Sequence, residues 1–565
     1  MTRPGFFTRD RIVAPPDFVR WRIPPASIAI HLCIGAAYAW SIFNPALMRI
    51  RGVVVPAAGD WDLSQVTGVF TVAIVCLGLS AAVAGKWLER VGPRTVGILA
   101  AVLWSGGYLI GAIGIARHNL PLLYFGYGVV GGCGLGLGYV SPVSTLIKWF
   151  PDRRGMAAGM AIMGFGGGAI LATPLQERLM KAFYEPPQYL GRASDVELAT
   201  VDGKRFAAVV GSQREVVVVA ANETARMVVP GPEGVYVVGT GDIGVEKTFL
   251  TLGIAYFMIM LPAALSFRVP ADGWRPAGWS PPDAGAVAAK MIAARDVDPN
   301  AALRTPQFYL LWIMLCFNVT AGIGVLGVAK TMMTEVFGSA LPLIVTGGFA
   351  TTYVLMISLF NMLGRFFWAS ISDFLGRKRT YSIFFGLGFL LYAAIPSIVG
   401  VESGSTSLVP LVLFYVTTMV IFTMYGGGFA TIPAYLADLF GAKYVGAIHG
   451  RLLTAWSTAG VLGPLAITEL RRLSERQGIA DVAAVVSPER FAATFGKPLA
   501  DLPELVEKKT VTLAKLFELA PAGTPDPSRT LYDTTMYLMA ALLAVGFIAN
   551  ALVRPVDRKH HATAG

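Results

Sequence analysis

Charge is scarce in this sequence. Only 14% of its 565 residues are Asp, Glu, Lys or Arg, against 55% hydrophobic ones, and the mean hydropathy is +0.60. A soluble chain of this length divides into several domains with roughly a quarter of its residues charged, and a disordered chain is more polar still, so both classes are excluded. Cysteine is sparse too: Cys33, Cys76, Cys133 and Cys316 stand inside apolar stretches without metal-like pairing, which implies neither a disulfide framework nor a zinc site. The H-E-x-x-H, G-x-S-x-G and Walker patterns are missing. No enzyme, metal or cofactor is therefore expected. The formal charge of +11 falls in short clusters between apolar runs, where a membrane protein needs it, and implies no nucleic-acid partner.

Long apolar runs are what the sequence has in abundance. A spanning helix needs about 20 mostly apolar residues, and twelve windows qualify: 25–48, 65–86, 95–116, 120–146, 155–176 and 248–268, then 308–329, 342–368, 380–399, 408–432, 446–468 and 531–553. The segment ahead of the first window holds Arg3, Arg9, Arg11, Arg20 and Arg22 and lacks the short apolar core of a secretory signal, so no cleaved signal is expected. If the spans alternate, that segment shares one side with Lys86/Arg90/Arg94, Lys148/Arg153/Arg154, Arg377/Lys378/Arg379 and Arg554/Arg558/Lys559. The positive-inside rule makes that side cytoplasmic, with both termini on it. The outward loops near 117–119, 330–341 and 400–407 carry few basic residues.

The reading is an all-α, multi-pass membrane protein of two six-helix bundles, 25–268 and 307–553, embedded in the lipid bilayer as a monomeric functional unit. An N-terminal segment (1–24), a Pro-, Gly- and Ala-rich linker (269–306) and a tail (554–565) complete it on the cytoplasmic side. Two polar insertions, 177–247 and 469–530, face outward at corresponding places in each half. The first has β-branched runs at Arg214–Val219 and Gly234–Val238 and predicts a hairpin-rich cap. The second predicts a helix around 500–519, with Pro503 in its first turn.

A repeat ties the halves together. The loop after span two reads Gly85-Lys-Trp-Leu-Glu89-Arg90-Val-Gly92-Pro-Arg94, and that after span eight reads Ala369-Ser-Ile-Ser-Asp373-Phe-Leu-Gly376-Arg377-Lys378-Arg379. An acid ending one helix, a glycine turn and basic residues entering the next suit a gate on the cytoplasmic side. The loops after spans four and ten repeat more loosely, at Phe150–Gly159 and Phe440–Gly450.

This pattern resembles the loop signature of the major facilitator superfamily, G-x-x-x-[DE]-R-x-G-[RK]-[RK], with Ala369 and Pro93 as departures. More narrowly, Gly35-Ala-Ala-Tyr38-Ala-Trp40-Ser-Ile-Phe, Lys148-Trp-Phe-Pro-Asp-Arg-Arg-Gly155, Arg304–Trp312 and Asn361-Met-Leu-Gly-Arg365 resemble the oxalate/formate antiporter family. The resemblance implies a secondary transporter of small carboxylates working by alternating access, either by proton symport or by anion exchange against a counter-anion. A carrier of another organic anion or a neutral solute, or a transporter-like sensor, is the alternative.

Arg365 is the leading site residue. It lies eight positions before Asp373, roughly 12 Å up the helix, where a charge must face a cavity or a partner. Its planar fork suits a carboxylate, and the resemblance implies that role; snorkelling or pairing with Asp373 is the structural alternative. Asn361, one turn earlier, is placed to orient it. The resemblance further implies a second cation, a lysine in the eleventh helix, in members specialised for oxalate, yet 446–467 holds no lysine and has Trp456 in that region. A singly charged substrate such as formate, lactate or pyruvate therefore suits one arginine better than oxalate does. His449 and Arg451, near the helix start, suit headgroups as well as ligand. Tyr38, Trp40, Tyr139, Tyr425 and Trp456 are the candidate aromatic walls, with packing or a belt position as the alternative for each. His31 and His449 are the candidate proton-coupling residues. The glycine clusters at 131–138, 164–168 and 426–428 lack phosphate-loop chemistry and predict close helix contact.

Overall fold

The computed structural model describes residues 8–561 apart from 202–203, 220–228, 230, 281–290, 294, 339, 401–406, 496, 508–510 and 512. Arg3, the centre of the linker and most of the loop at 400–407 lie outside the described residues. Twelve principal helices follow one another: α1 Ile23–Gly35, α2 Leu63–Val91, α3 Pro93–Ala116, α4 Gly132–Trp149, α5 Arg154–Ala182, α6 Val245–Ser266, α7 Pro306–Phe337, α8 Gly347–Leu375, α9 Arg377–Gly400, α10 Val409–Phe440, α11 Thr454–Ala483 and α12 Asp533–Leu552. Among the described residues, eleven helical stretches are long and apolar enough to cross a membrane. The eleventh expected span, α11, falls short of that measure because its inner half is rich in Gly, Ser and Thr and its outer half is charged.

Several boundaries differ from expectation for local reasons. The first span gives way at Ala36 to a tighter 3₁₀ run, Ala36–Ile42. The fourth opens with one α-helical turn, Leu120–Leu123, and passes into a π-helical stretch, Tyr124–Gly131, where a Cβ on Gly107 would lie 2.6 Å from the Gly131 backbone. Helix α7 continues through Lys330 to Phe337. The eleventh span is broken at Leu453, after a short helix Val445–Leu452, and runs on to Ala483. The expected helix at 500–519 is instead two pieces, Leu502–Glu507 and Leu513–Phe517, although Pro503 does sit in a first turn.

The first insertion is a five-stranded antiparallel sheet in the order β1-β5-β4-β3-β2, made of β1 Tyr189–Gly191, β2 Leu198–Val201, β3 Lys204–Val209, β4 Ser212–Val219 and β5 Gly234–Val237. The two β-branched runs pair directly, Val216 opposite Val237. Val219 and Tyr236 pack on Val54 of the loop before α2, which fixes the sheet to its own half.

The halves repeat in detail. Helices α2 and α8 are each 29 residues long, and α3 and α9 are each 24. Side chains cap the starts of α2 and α8: Asp62 accepts from the Gln65 amide at 2.7 Å, and Thr346 from the Phe349 amide at 3.3 Å. Both helices stop at a glycine of positive φ, Gly92 at 82° and Gly376 at 86°, with ψ of 167° and 149°, a conformation that costs a side-chain-bearing residue about 1–3 kcal/mol. Across the seam, α5 packs on α8 and α10, while α2 packs on α11 and the Val445–Leu452 helix.

Both chain ends lie on one face, here called the termini face: Val13 bridges Val269 and Val297 bridges His561. On this face each half offers an acid to a helix start of the other. Asp373 accepts from the Gly155 and Met156 amides at 2.8 and 2.9 Å, capping α5 where its dipole favours a negative charge. Arg377 donates to Asp373 at 2.6 Å and to Asp438 at 2.8 Å. Arg154 reaches across to Asp438 at 2.9 Å. In the other repeat, Glu89 accepts from the Gly446 amide at 3.2 Å and pairs with Lys148. Gly85 is needed there, since a Cβ would meet Ala447 Cα at 2.5 Å. Two residues of the expected gate stand apart from this contact. Arg90 is exposed, and buried Arg94 donates to the Phe267 carbonyl at 3.3 Å, joining α3 to the end of α6 within one half. Pro93 occupies the place of Arg377, so Lys148 supplies the cation.

Two outcomes follow from this geometry. Gly364→Ala would bring a Cβ to 2.2 Å from the Thr423 carbonyl, whereas one on Gly376 meets nothing within 4 Å. Thermal unfolding in nanodiscs should show Gly376→Ala losing only the backbone penalty of about 1–3 kcal/mol and Gly364→Ala losing clearly more; equal losses would contradict the α8–α10 packing. Asp373→Asn breaks a buried pair, at a cost of about 3–5 kcal/mol to the closed arrangement. Spin-label distances between positions 90 and 443, both exposed, should lengthen in that variant, and an unchanged distribution would remove Asp373 from the latch.

Candidate functional site

Arg365 projects from α8 at the seam and is 0% exposed. Its Nε donates to Asn361 Oδ1 at 3.2 Å, one turn away, and its Nη1 donates to the Ile162 carbonyl of α5 at 3.1 Å. The guanidinium carbon lies 5.7 Å from the Phe165 ring centre and 5.4 Å from that of Phe429. Cation–π contacts of this kind contribute about 0.5–2 kcal/mol each. Arg365 reaches this position because glycine lines its path. A Cβ on Gly166 would sit 3.1 Å from its Nε, and one on Gly426 3.0 Å from its Cγ. Among the described residues it has no carboxylate partner, and its Nη2 has no hydrogen-bond partner at all. Asp373, the alternative partner, is engaged by Arg377.

An aromatic box surrounds the guanidinium. Trp456 packs edge-on to Phe429 at 4.5 Å, to Phe165 at 5.4 Å and to Tyr38 at 6.2 Å. Tyr139 lies 5.4 Å from Trp456 and 5.6 Å from both Phe165 and Phe429. Tyr425 is the electrostatic neighbour of Tyr38 and Arg365. His31 meets Tyr139 edge-on at 5.3 Å, and His449 meets it at 5.8 Å. Buried polar atoms without a well-formed hydrogen bond converge here: the hydroxyls of Tyr38 and Tyr425, which approach each other, that of Tyr139, Trp456 Nε1, both nitrogens of His31, His449 Nε2 and Arg365 Nη2. Buried polar groups are paired in the great majority of cases. Around Arg365 such groups leave a cation and several polar atoms available to a polar ligand.

Of the sequence-derived candidates, Arg365, Asn361, Tyr38, Tyr139, Tyr425, Trp456, His31 and His449 are brought together. Trp40 is not. It packs at 4.4 Å on Tyr127 and at 6.3 Å on Phe249, inside the first half. Two residues beyond Tyr38, it faces another way round the helix. His449 is 1% exposed and faces the site rather than headgroups, while Arg451 donates to the Pro299 carbonyl and, at 2.9 Å, to Asn300 Oδ1, outside it. Phe165, Phe429 and the Ile162 carbonyl were not foreseen. The signal lay in the glycines: Phe165 sits within Gly164–Gly168 and Phe429 directly follows Gly426–Gly428. Among the described residues, no group of three or more His, Cys, Asp or Glu side chains is placed to hold a metal ion.

Comparison with known proteins agrees with this architecture. The chain is 25% identical over 439 residues to the oxalate:formate antiporter of Oxalobacter formigenes, covering 78% of this chain and 81% of that one. It is 24% identical over 469 residues to apicoplast pyruvate carrier 1 of Toxoplasma gondii, covering 75% and 78%. Its fold matches the solved structure of the transporter FucP in the outward conformation with a TM-score of 0.51, at 12% identity over 93% of this chain and 98% of that one. The family model described as Major Facilitator Superfamily matches residues 28–185 and 237–464, and with the duplicated halves and the latch on one face this shows that the chain is a multi-pass membrane protein belonging to the major facilitator superfamily of secondary transporters.

Proposed function

We propose that this transporter carries small monocarboxylates, of the formate, lactate and pyruvate class, with Arg365 as the carboxylate ligand. The observation that supports this reading is the buried guanidinium with an open Nη2 and no acid beside it, ringed by hydroxyl and indole donors without a well-formed hydrogen bond. A buried unpaired charge is costly, and one carboxylate compensates it while the tyrosine hydroxyls meet the remaining lone pairs. Among the described residues the site holds one permanent cation, Arg365, so an anion of one charge balances it and a dianion leaves an excess. Ring walls from Trp456, Phe165 and Phe429 limit the space to a short carbon chain. The formate and pyruvate in the names of two relatives agree with this chemistry, and the oxalate in the first name is the dianion that the single arginine disfavours. The basic loops of the termini face make that face cytoplasmic under the positive-inside rule.

Uptake of labelled formate, lactate, pyruvate and oxalate into proteoliposomes tests the reading. Saturable monocarboxylate flux should exceed oxalate flux. Arg365→Ala removes charge-assisted bonds of about 1.5–3 kcal/mol each, so flux should fall by about 100-fold or more. Arg365→Lys should lose most of that, because an ammonium cannot bond Asn361, Ile162 and a ligand in one plane. Trp40→Phe, away from the site, should leave the ranking of substrates intact. Native protein that moves none of the four anions, or moves them equally after Arg365→Ala, would overturn the reading.

A further inference from the structure

Two of the four cysteines meet where two spans press together. Glycines at 128, 132 and 136 recur every fourth residue, on the side of the fourth span that faces α2. A Cβ on Gly128 would lie 3.1 Å from Val72 Cγ1, and one on Gly132 would lie 2.6 Å from the Ala73 carbonyl oxygen and 2.8 Å from Cys76 Cβ. One on Gly136 would run into the Leu77 carbonyl. Small-residue stripes of this kind let helix backbones approach closely in a bilayer. Ser80 crosses the same groove, its hydroxyl donating to the Cys133 carbonyl at 3.3 Å. Cys133 directly follows Gly132, and its thiol is in hydrogen-bonding contact with that of Cys76.

The surroundings of this pair set it apart. Cys33 and Cys316 are buried on separate helices, α1 and α7, whereas Cys76 and Cys133 are half-buried. Exposed apolar side chains flank them along each span, Leu79 and Val83 on α2 and Phe125 and Val129 on the fourth span, as on a surface that faces lipid. Cys76 stands near the middle of α2, about 20 Å from either end at 1.5 Å per residue. What reaches the thiols there is dissolved in the hydrocarbon core, since a charged reagent pays heavily to enter it. The π-helical stretch Tyr124–Gly131 ends two residues before Cys133. Such stretches carry an extra residue in the helix and occur mostly at functional positions. Moving the extra residue on toward the termini face turns each side chain it passes by about 100°, first Cys133 and then Tyr139. A covalent link from Cys133 to Cys76 blocks that movement at its first step.

We propose that Cys76 and Cys133 are a redox-active dithiol, oxidised to a disulfide by a membrane-dissolved quinone, which staples α2 to α4 and fixes the register in which α4 presents Tyr139 to the site. Both S–H bonds break and one S–S bond forms, and two electrons and two protons pass to the quinone, which leaves as quinol. A disulfide spans Cβ atoms about 3.5–4.5 Å apart, a separation that the glycine stripe and the contact between the thiols bring within reach. A dithiol reductant reverses the step by exchange. The inference is independent of which ligand Arg365 holds.

The full chain in nanodiscs, treated with decylubiquinone, should lose the mass of two hydrogen atoms and yield, on digestion without reductant, peptides joined through Cys76 and Cys133. Folded protein that keeps both thiols under this treatment would overturn the proposal. Hydrogen exchange of the backbone amides at 124–139 should slow by about tenfold in the oxidised protein and recover on reduction with dithiothreitol. Cys76→Ala and Cys133→Ala, treated in the same way, should show no slowing, which separates the staple from any other effect of the quinone. A disulfide that leaves exchange at 124–139 unchanged would overturn the fixed register. Equal slowing in the two variants and the native chain would overturn its assignment to this pair.

Discussion

A guanidinium sealed between two helical bundles, with no acid beside it, sets the terms for the rest of this structure. Water would solvate Arg365 strongly, and the protein replaces that with one amide oxygen, one backbone carbonyl and two ring faces. These contacts fall short of full compensation, and the surrounding helices are arranged to keep the deficit from collapsing. Glycines at 166 and 426 let the arginine lie flat along the seam, and the acids of α8 and α10 are held away at the termini face by Arg377 and Arg154.

The latch shows what duplication preserves and what it leaves to change. In each repeat an acid from the end of the second helix of one half caps a helix start in the other half, Asp373 on α5 and Glu89 on the Val445–Leu452 helix. The partner charges differ. Lys148 stands two residues before Phe150, and Asp438 two residues before Phe440, so the corresponding position is basic in one half and acidic in the other. The arrangement stays balanced because Arg377 is present where the first repeat has Pro93. Helix-start amides are the constant part, being backbone, and side-chain charge is rearranged around them.

The spans, the duplication and the central arginine were legible in the sequence because each leaves a signal longer than one residue: an apolar window, a repeated loop, a charge where charge is expensive. The paired strands of the first insertion were legible as β-branched runs for the same reason. Positions around a helix were less so. Tyr38 and Trp40 look alike in composition, yet two residues of separation, within a stretch tightened to 3₁₀ geometry, point them into different cores. Arg94 fits the gate motif by spacing but is drawn to the carbonyl end of α6, a contact between elements far apart in the chain. The far end of α11 was missed because a polar helix outside the membrane has no apolar run to mark it. Phe165 and Phe429 were hidden by their own surroundings, since glycine-flanked aromatics read as packing until the arginine between them is seen.

Site and seam are the same object in this molecule. Arg365 and Asn361 belong to α8, while Ile162 and Phe165 belong to α5, so the residue proposed to meet the anion also bonds across the line along which the halves must separate. The hydrogen bonds between the halves run from the termini face, at Asp373 and Glu89, up to Ser457, whose hydroxyl donates to the Ile74 carbonyl at 2.8 Å. Rocking of one bundle on the other must therefore break the Arg365–Ile162 bond or carry it along, and the proposed anion, bridging Arg365 to tyrosines of both halves, would change which is cheaper. On the proposed reading, ligand occupancy and seam closure would be linked through a single guanidinium, whose donors reach its own helix and the opposing helix and leave Nη2 for the substrate. That division requires a planar group with several donors, and it is the physical reason that an arginine stands at this position.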